Sequence, residues 1–244
     1  VVRYAVGYAN VNFDHGTGRG IRVANVQGYG NHSVSGHALA LMLACVRGLH
    51  LGVRQIHSHF SSPPFEDIFE LHDKTLGIIG LGRIGSQVAR KAGGLFRHVF
   101  AVDPYKSDDF FDMANARRVN LKMLLAESHV ISLHCNLTQE TRYLINDKAF
   151  SLMKQRPVLI NTARGPIVDE HALIEALNAN RIHSAGLDVF ENEPPGLAQQ
   201  PLLNHPRVFA TGHYAWYSET ASLTLQRRAE IGRASCRERV YCEV

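Results

Sequence analysis

Two apolar rhythms alternate along this chain. Short, near-continuous runs of β-type residues recur at Leu76 to Ile79, Val99 to Val102, Val130 to His134, Val158 to Thr162, Ser184 to Val189 and Val208 to Thr211. Between them, apolar positions fall at helical spacing over Leu121 to Glu127, Asp147 to Lys154 and Asp169 to Asn180, the last with Asp169 placed as its cap. Strands that are apolar on both faces and separated by helices predict a parallel sheet covered on both sides, an α/β fold. Upstream, Ile21 to Val26 alternates like a short strand and Gln27 to Gly30 is rich in turn residues. A helix is expected from Ser33 or Ser35 through Leu49, carried by Val34, Ala38, Leu41, Met42 and Cys45. Ser58 to Pro64 then reads as a polar loop leading into the sheet.

The chain is organised around Thr75 to Ser86. There the apolar run flows into Gly80-x-Gly82-x-x-Gly85, and a helical pattern opens at once with Ile84, Val88 and Ala89. Gly80 permits a tight turn, Gly82 lets backbone approach a pyrophosphate, and Gly85 lets helix pack closely on strand, while the helix N-terminus offers N–H groups to phosphate. The next strand ends in Asp103, eighteen residues beyond Gly85. A carboxylate at that place accepts hydrogen bonds from an adenosine ribose diol and repels a ribose phosphate, so the pattern predicts NAD in preference to NADP. A glycine-rich turn in an ordinary sheet accounts for the glycines but not for Asp103.

Composition narrows the partners. Twenty-six basic residues against 22 acidic ones leave a formal +4, too small and scattered for nucleic acid as the main partner. Ala38 to Val46, the most apolar helix-like run, is about half the length that spans a bilayer, and no signal-peptide pattern opens the chain, so membrane and export readings fall away. Cys45, Cys135, Cys236 and Cys242 have no metal-ligand spacing and read as reduced thiols of a cytoplasmic protein. No metal is expected.

Polar residues gather where the strands end: His134, Arg164 with Gly165, Asp188, and Gly212 with His213. Arg164 follows a buried-type strand, where a guanidinium fork grips a substrate carboxylate with two hydrogen bonds. Singly, Arg164, Glu193 and His213 each have the plainer reading of a solvated loop residue. Together they suit proton transfer, because a carboxylate beside an imidazole holds it as a proton donor while an arginine fixes an anion nearby.

The motifs Val23-Ala-Asn-Val-Gln-Gly28, His72 to Gly85, Ser132-Leu-His-Cys-Asn-Leu-Thr138, Asn161-Thr-Ala-Arg-Gly165 and Gly186-Leu-Asp-Val-Phe-Glu-Asn-Glu-Pro194 occur in this order. With them, Arg3 to about Glu230 resembles the D-isomer-specific 2-hydroxyacid dehydrogenases. The resemblance implies hydride transfer between nicotinamide and a 2-keto or 2-hydroxy acid, with Arg164, Glu193 and His213 catalytic. It implies cofactor contacts at Gly80, Gly82, Arg83, Ile84, Gly85, Asp103, Cys135, Thr162, Ala163 and Asp188, with Asp188 on the carboxamide. Substrate contacts would come from Val6, Gly7, Arg164 and Trp216. The small-molecule partner is thus a 2-hydroxy or 2-keto acid, and a homodimer through the 33–50 helix region is expected. Trp216 is most like the C-terminal-binding-protein corepressor branch, which keeps a rival reading, an NAD(H)-binding scaffold working through protein contacts. A formate-dehydrogenase reading is weaker, since those relatives lack the glutamate corresponding to Glu193.

The sequence departs from the family pattern at several places. Gly212 stands where proline usually precedes the catalytic histidine, Asn136 where proline is usual, Ala9 where an acid is usual, and Ser35-Gly36 where a small residue and an acid are usual. The expected organisation is a doubly wound dinucleotide-binding (Rossmann) domain over 28–212. It is flanked by remnants of a flavodoxin-like substrate domain at 1–27 and 213–230, whose upstream part is expected to be missing. Ile231 to Val240 matches nothing in the family and reads like a translated sequencing adapter, so 231–244 is expected to be a non-native tail.

Overall fold

The computed structural model describes residues 2–6, 24–56, 68–196 and 201–237. Strands β1 (Val2–Arg3) and β2 (Ala24–Asn25) pair in parallel, and helices α1 (Asn31–Val46) and α2 (Leu49–Ile56) follow. Then come β3 (Thr75–Ile79), α3 (Arg83–Ala92), β4 (His98–Val102), α4 (Asp108–Met113), β5 (Arg117–Arg118), α5 (Leu121–Glu127) and β6 (Val130–Leu133). The chain continues through α6 (Asp147–Leu152), β7 (Val158–Asn161), a 3-10 turn over Gly165–Ile167, α7 (Glu170–Asn178), β8 (Ser184–Leu187), α8 (Pro201–Asn204), β9 (Val208–Ala210) and α9 (Glu219–Arg237).

Among the described residues, seven parallel strands form one sheet in the order β5-β4-β3-β6-β7-β8-β9. From β3 the chain steps outward to β4 and β5, then crosses back to β6 on the other side. The strand order therefore reverses between β3 and β6, the place where doubly wound sheets open a ligand crevice. Register sets the ends level: Ile79 pairs with Val102 on one side and Leu133 on the other, and Leu187 lies between Asn161 and Ala210.

Strand alternation explains why the apolar runs are continuous. Leu76, Ile78, Val158 and Ile160 face one core with Leu41, Met42 and Cys45 of α1 and Val88, Ala89 and Ala92 of α3. Ile79, Ile131, Leu133, Leu159 and Leu187 face a second core with Leu124, Phe150, Leu173 and Leu177 of the opposite helices. Both faces are covered, so both parities of each strand must be apolar. Among the described residues four helices begin under side-chain caps, Asn120 accepting from the Met123 amide, Asn146 from Ala149, Asp169 from Ala172 and Ser218 from Ala221. Asp169 caps as the sequence predicts.

Some boundaries differ from the sequence reading. Helix α1 begins at Asn31 and stops at Val46, because Gly48 takes a left-handed φ of +59° and turns the chain before α2 opens at Leu49. The short elements α4, β5 and α8 have no counterpart in the apolar periodicity. Ile21 to Val23 and Ser58 to Pro64 lie outside the described residues.

By its contacts the chain divides into two compact units, Val1–Val34 with Trp216–Val244, and Ser35–Ala215. The sequence reading draws these boundaries at Gly28 and Gly212. The contacts carry the larger unit on to Ala215, because the buried Asp188 carboxylate binds the amides of Tyr214 and Ala215. In the smaller unit α9 packs on β1 and buries Ala221 and Leu225, Ser33 and Ser218 share a hydrogen bond of 2.8 Å, and Arg228 donates to the Gln27 carbonyl. Helix α9 runs on to Arg237, into the stretch read as a tail.

Candidate active site

The crevice at the end of β3 is made mostly of backbone. Gly80 has φ +92°, and a Cβ there would come within 2.5 Å of the Cys135 amide nitrogen. A Cβ at Gly85 would run into the Gly80 carbonyl. Gly82 caps α3 with no side-chain hydrogen bond, and open space surrounds the position its Cβ would take. Unlike α5, α6 and α7, this helix therefore begins without a side-chain cap, with Arg83 and Ile84 as its first residues and Ile84 partly buried against the core. Asp103 is pinned at the crevice, Oδ2 accepting from the Leu81 amide and Oδ1 from the Tyr105 amide, each at 2.9 Å. Each oxygen keeps a second lone pair for a ribose hydroxyl.

The opposite wall comes from the loops after β6 and β7. His134 shares a 2.8 Å hydrogen bond with the Ser132 hydroxyl, and burial pushes its imidazole down to about 4, so it stays neutral. Burial pushes the neighbouring Cys135 thiol up to about 11, with the Asp103 charge adding to the rise. In the next loop, Asn161 Oδ1 accepts from the Ala163 amide and its Nδ2 donates to the Arg164 carbonyl, so one buried side chain staples Thr162 to Arg164. Thr162 Oγ1 is buried with no hydrogen-bond partner among the described residues. A helix start without a side-chain cap, a pinned carboxylate with spare lone pairs and an orphaned buried hydroxyl fit a dinucleotide.

The carboxyl ends of β7, β8 and β9 form the other half of the site. His213 Nδ1 meets Glu193 Oε2 at 2.5 Å, and the carboxylate can only accept, so Nδ1 carries the hydrogen. Glu193 Oε1 accepts from the Phe190 amide at 3.0 Å, which fixes the carboxylate from behind. His213 itself is held at φ +55°, a conformation that costs a residue other than glycine on the order of 1–3 kcal/mol. Asp188 supplies the restraint. It is 1% exposed, its carboxylate accepts from the Thr211 hydroxyl at 2.6 Å and from the amides of Tyr214 and Ala215 at 3.1 and 2.9 Å, and its carbonyl accepts from the His213 amide at 2.8 Å.

The structure thus brings Glu193 and His213 together and ties both to the loop that Asp188 begins. Arg164 stands at the end of the adjacent strand β7, its Nη1 donating to the Ala163 carbonyl, and makes no hydrogen bond to either residue among the described ones. Trp216 packs edge-on against Tyr29 and Tyr217, at 6.0 and 5.6 Å between ring centres. Val6 is half-exposed, with its carbonyl accepting from Asn25, and Gly7 lies outside the described residues. Sequence reasoning missed His37, whose Nε2 is 3.0 Å from Thr211 Oγ1 and 3.6 Å from Asp188 Oδ1. Because the Thr211 hydroxyl is given to Asp188, His37 donates to the threonine oxygen. Helical spacing marks position 37 only as flanking the apolar stripe, so no local signal reveals it.

A doubly wound sheet with a glycine-rich turn at its switch point, beside a paired imidazole and carboxylate at neighbouring strand ends, has the architecture of a dinucleotide-binding domain. Residues 39–215 match the family model described as D-isomer specific 2-hydroxyacid dehydrogenase, NAD binding domain, and the chain belongs to that family, whose cofactor is NAD. It is 39% identical over 224 residues to a D-3-phosphoglycerate dehydrogenase of Archaeoglobus fulgidus, covering 91% of this chain and 42% of the relative. It is 37% identical over 235 residues to a glyoxylate reductase of Korarchaeum cryptofilum, covering 94% of this chain and 70% of the relative. The solved structure of the pyruvate reductase of Chlamydomonas reinhardtii is similar with a TM-score of 0.89 and 30% identity, over 100% of this chain and 77% of that one. The chain therefore spans less than half of the phosphoglycerate dehydrogenase and more than two thirds of the other two.

Proposed function

We propose that the chain is the NAD-binding and catalytic part of a D-2-hydroxyacid dehydrogenase. Bound along the Gly80 to Gly85 turn, NADH supplies hydride to C2 of a 2-keto acid, and NAD takes it back in the reverse direction. Arg164 grips the substrate carboxylate and Asp188 doubles as partner of the carboxamide, while substrate contacts from Val6, Gly7 and Trp216 rest on the family resemblance alone. His213 Nε2 gives a proton to the C2 oxygen during reduction and takes it back during oxidation, while Glu193 on Nδ1 steadies the protonated ring. Thr162, Ala163, Cys135, Arg83 and Ile84 line the cofactor.

The observation that carries this reading is the 2.5 Å contact between His213 Nδ1 and Glu193 Oε2 on a loop clamped by Asp188. A scaffold has no use for such a pair. The named relatives are a D-3-phosphoglycerate dehydrogenase, a glyoxylate reductase and a pyruvate reductase, which supports the substrate class without choosing a member. A homodimer built through the 33–50 helices belongs to the same proposal, supported by Leu43, Leu49, Val53 and Ile56, all exposed on α1 and α2. Cytoplasmic residence is supported by Cys45 and Cys135, both free thiols. The 231–244 stretch is proposed to play no part in the reaction.

His213→Ala should lower NADH-dependent reduction of the best substrate in a 2-keto acid panel by roughly 10² to 10⁴ while leaving NADH affinity nearly unchanged. Undiminished turnover would overturn the role of His213. Saturable NADH binding with no turnover on any member of the panel would favour the scaffold.

A further inference from the structure

The loop that carries Glu193 is short and exposed at Asn192, Glu193 and Pro194, yet its carboxylate meets an imidazole at hydrogen-bond distance. Something behind the loop must hold it. We infer that Glu170 and Glu191 form a clasp that aims Glu193 at His213, which makes Glu191 a positioning residue of the site. The clasp is reciprocal: Glu191 Oε1 accepts from the Glu170 amide at 2.9 Å, and Glu170 Oε1 accepts from the Glu191 amide at 2.7 Å. Glu191 Oε2 also accepts from the Tyr143 hydroxyl at 3.2 Å.

Each half of this arrangement has its own physical reason. Glu170 is the first residue of α7, and its amide is one of those a helix start leaves without an internal partner. Asp169 caps the Ala172 amide, and Glu191 supplies a second, non-local cap whose negative charge suits the helix N-terminus. The Phe190–Glu191 peptide, fixed by this clasp, lies flat against Gly165, where any Cβ would fall onto the Phe190 carbonyl. Arg164, one residue before Gly165, and Glu193, two after Glu191, therefore hang from the same junction. The aim follows from one more bond. The Phe190 amide, in the peptide just before the clasped one, donates to Glu193 Oε1, so fixing the backbone on the other side of Phe190 steadies the donor that sets this carboxylate, whose Oε2 meets His213 Nδ1.

The inference rests on the Glu193–His213 pair of the proposed function, and its test separates the two. A neutral imidazole places its hydrogen on whichever nitrogen its partners favour. At alkaline pH, two-bond proton–nitrogen NMR of the histidine rings reports that tautomer without cofactor or turnover, and the His213 signal is assigned by its loss in His213→Gln. The parent should show Nδ1–H. Glu191→Ala should shift His213 to mainly Nε2–H, and Glu191→Gln, whose amide oxygen still accepts from Glu170, should keep Nδ1–H. Should Glu191→Ala fail to fold, Glu170→Ala breaks the other half of the clasp and is read in the same way. Retained Nδ1–H in a folded Glu191→Ala or Glu170→Ala variant overturns the clasp alone, as does a Glu191→Gln variant that behaves like Glu191→Ala. A parent ring in the Nε2–H form overturns the pair itself.

Discussion

The two halves of the site are built from different materials. The crevice at β3 is a continuous piece of chain, Gly80 to Gly85, whose properties come from backbone shape and from the absence of side chains. The edge at β7 to β9 gathers Arg164, Glu193 and His213 from three loops and holds them by side chains that bind backbone: Asn161 on Ala163 and Arg164, Glu191 on Glu170, Asp188 on Tyr214 and Ala215. A site made of backbone is harmed by adding atoms. One made of side chains is harmed by removing them.

The sharpest break in that comparison is at two glycines of the same turn. Gly82→Ala places a methyl group in open space, so the fold and its melting temperature should hold, yet the methyl occupies the approach to the pyrophosphate. NADH affinity by fluorescence titration should fall at least a hundredfold, or about 2.7 kcal/mol. Gly85→Ala has the methyl against the Gly80 carbonyl and should instead destabilise the fold, by about 1–3 kcal/mol or more. Parent-like NADH binding by Gly82→Ala would remove the phosphates from this turn.

The same contrast explains what was legible in the sequence. The crevice was readable because its determinants are local: three glycines at fixed spacing after an apolar run, and an acid at the end of the next strand. The parallel sheet was readable because burial on both faces forces every position of β3, β6, β7 and β8 to be buried. Arg164 and His213 stood out as polar residues at strand ends and suited proton transfer with Glu193, but their assignment as one catalytic set came through family resemblance, since no spacing links residues whose neighbourhood is set by strand order. The grip of Asp188 on the His213 loop, the donation from His37 and the clasp behind Glu193 were invisible for that reason: each joins residues 21 to 174 positions apart. Strand β5 escaped notice because two exposed arginines, Arg117 and Arg118, carry no apolar pattern.

Acid should separate the halves as well, through the crevice's buried base. His134 is held down to about 4 by burial, whereas an unfolded histidine titrates near 6.5. Between those values the unfolded chain takes up a proton that the folded chain refuses. Stability attributable to His134 is therefore whole above about pH 6.5 and is lost as pH falls toward 4, by about 2 kcal/mol once partial exposure is allowed for. His134→Gln keeps a partner for Ser132 but cannot titrate. Urea midpoints measured from pH 7 to 4.5 should fall more steeply for the parent than for this variant, and parallel slopes would show that His134 is not the buried base.

The smallest effect belongs to the side chain that pins the turn of the crevice. Asp103 holds the amides of Leu81 and Tyr105, so it shapes the turn as well as offering spare lone pairs to a ribose. Its charge should repel a ribose phosphate, and Pro104 and Tyr105 after it offer no cation in compensation. NADH should accordingly bind at least tenfold, or about 1.4 kcal/mol, more tightly than NADPH. Asp103→Ala should narrow that gap mostly by weakening NADH, because it removes both the diol's acceptor and the anchor of the Leu81 amide. Asp103→Asn separates these contributions: it keeps an acceptor for one amide while removing the charge, so it should recover NADPH binding with a smaller loss for NADH. Equal titrations of the parent with the two cofactors would show that charge at Asp103 does not select between them, leaving backbone shape as the crevice's whole means of recognition.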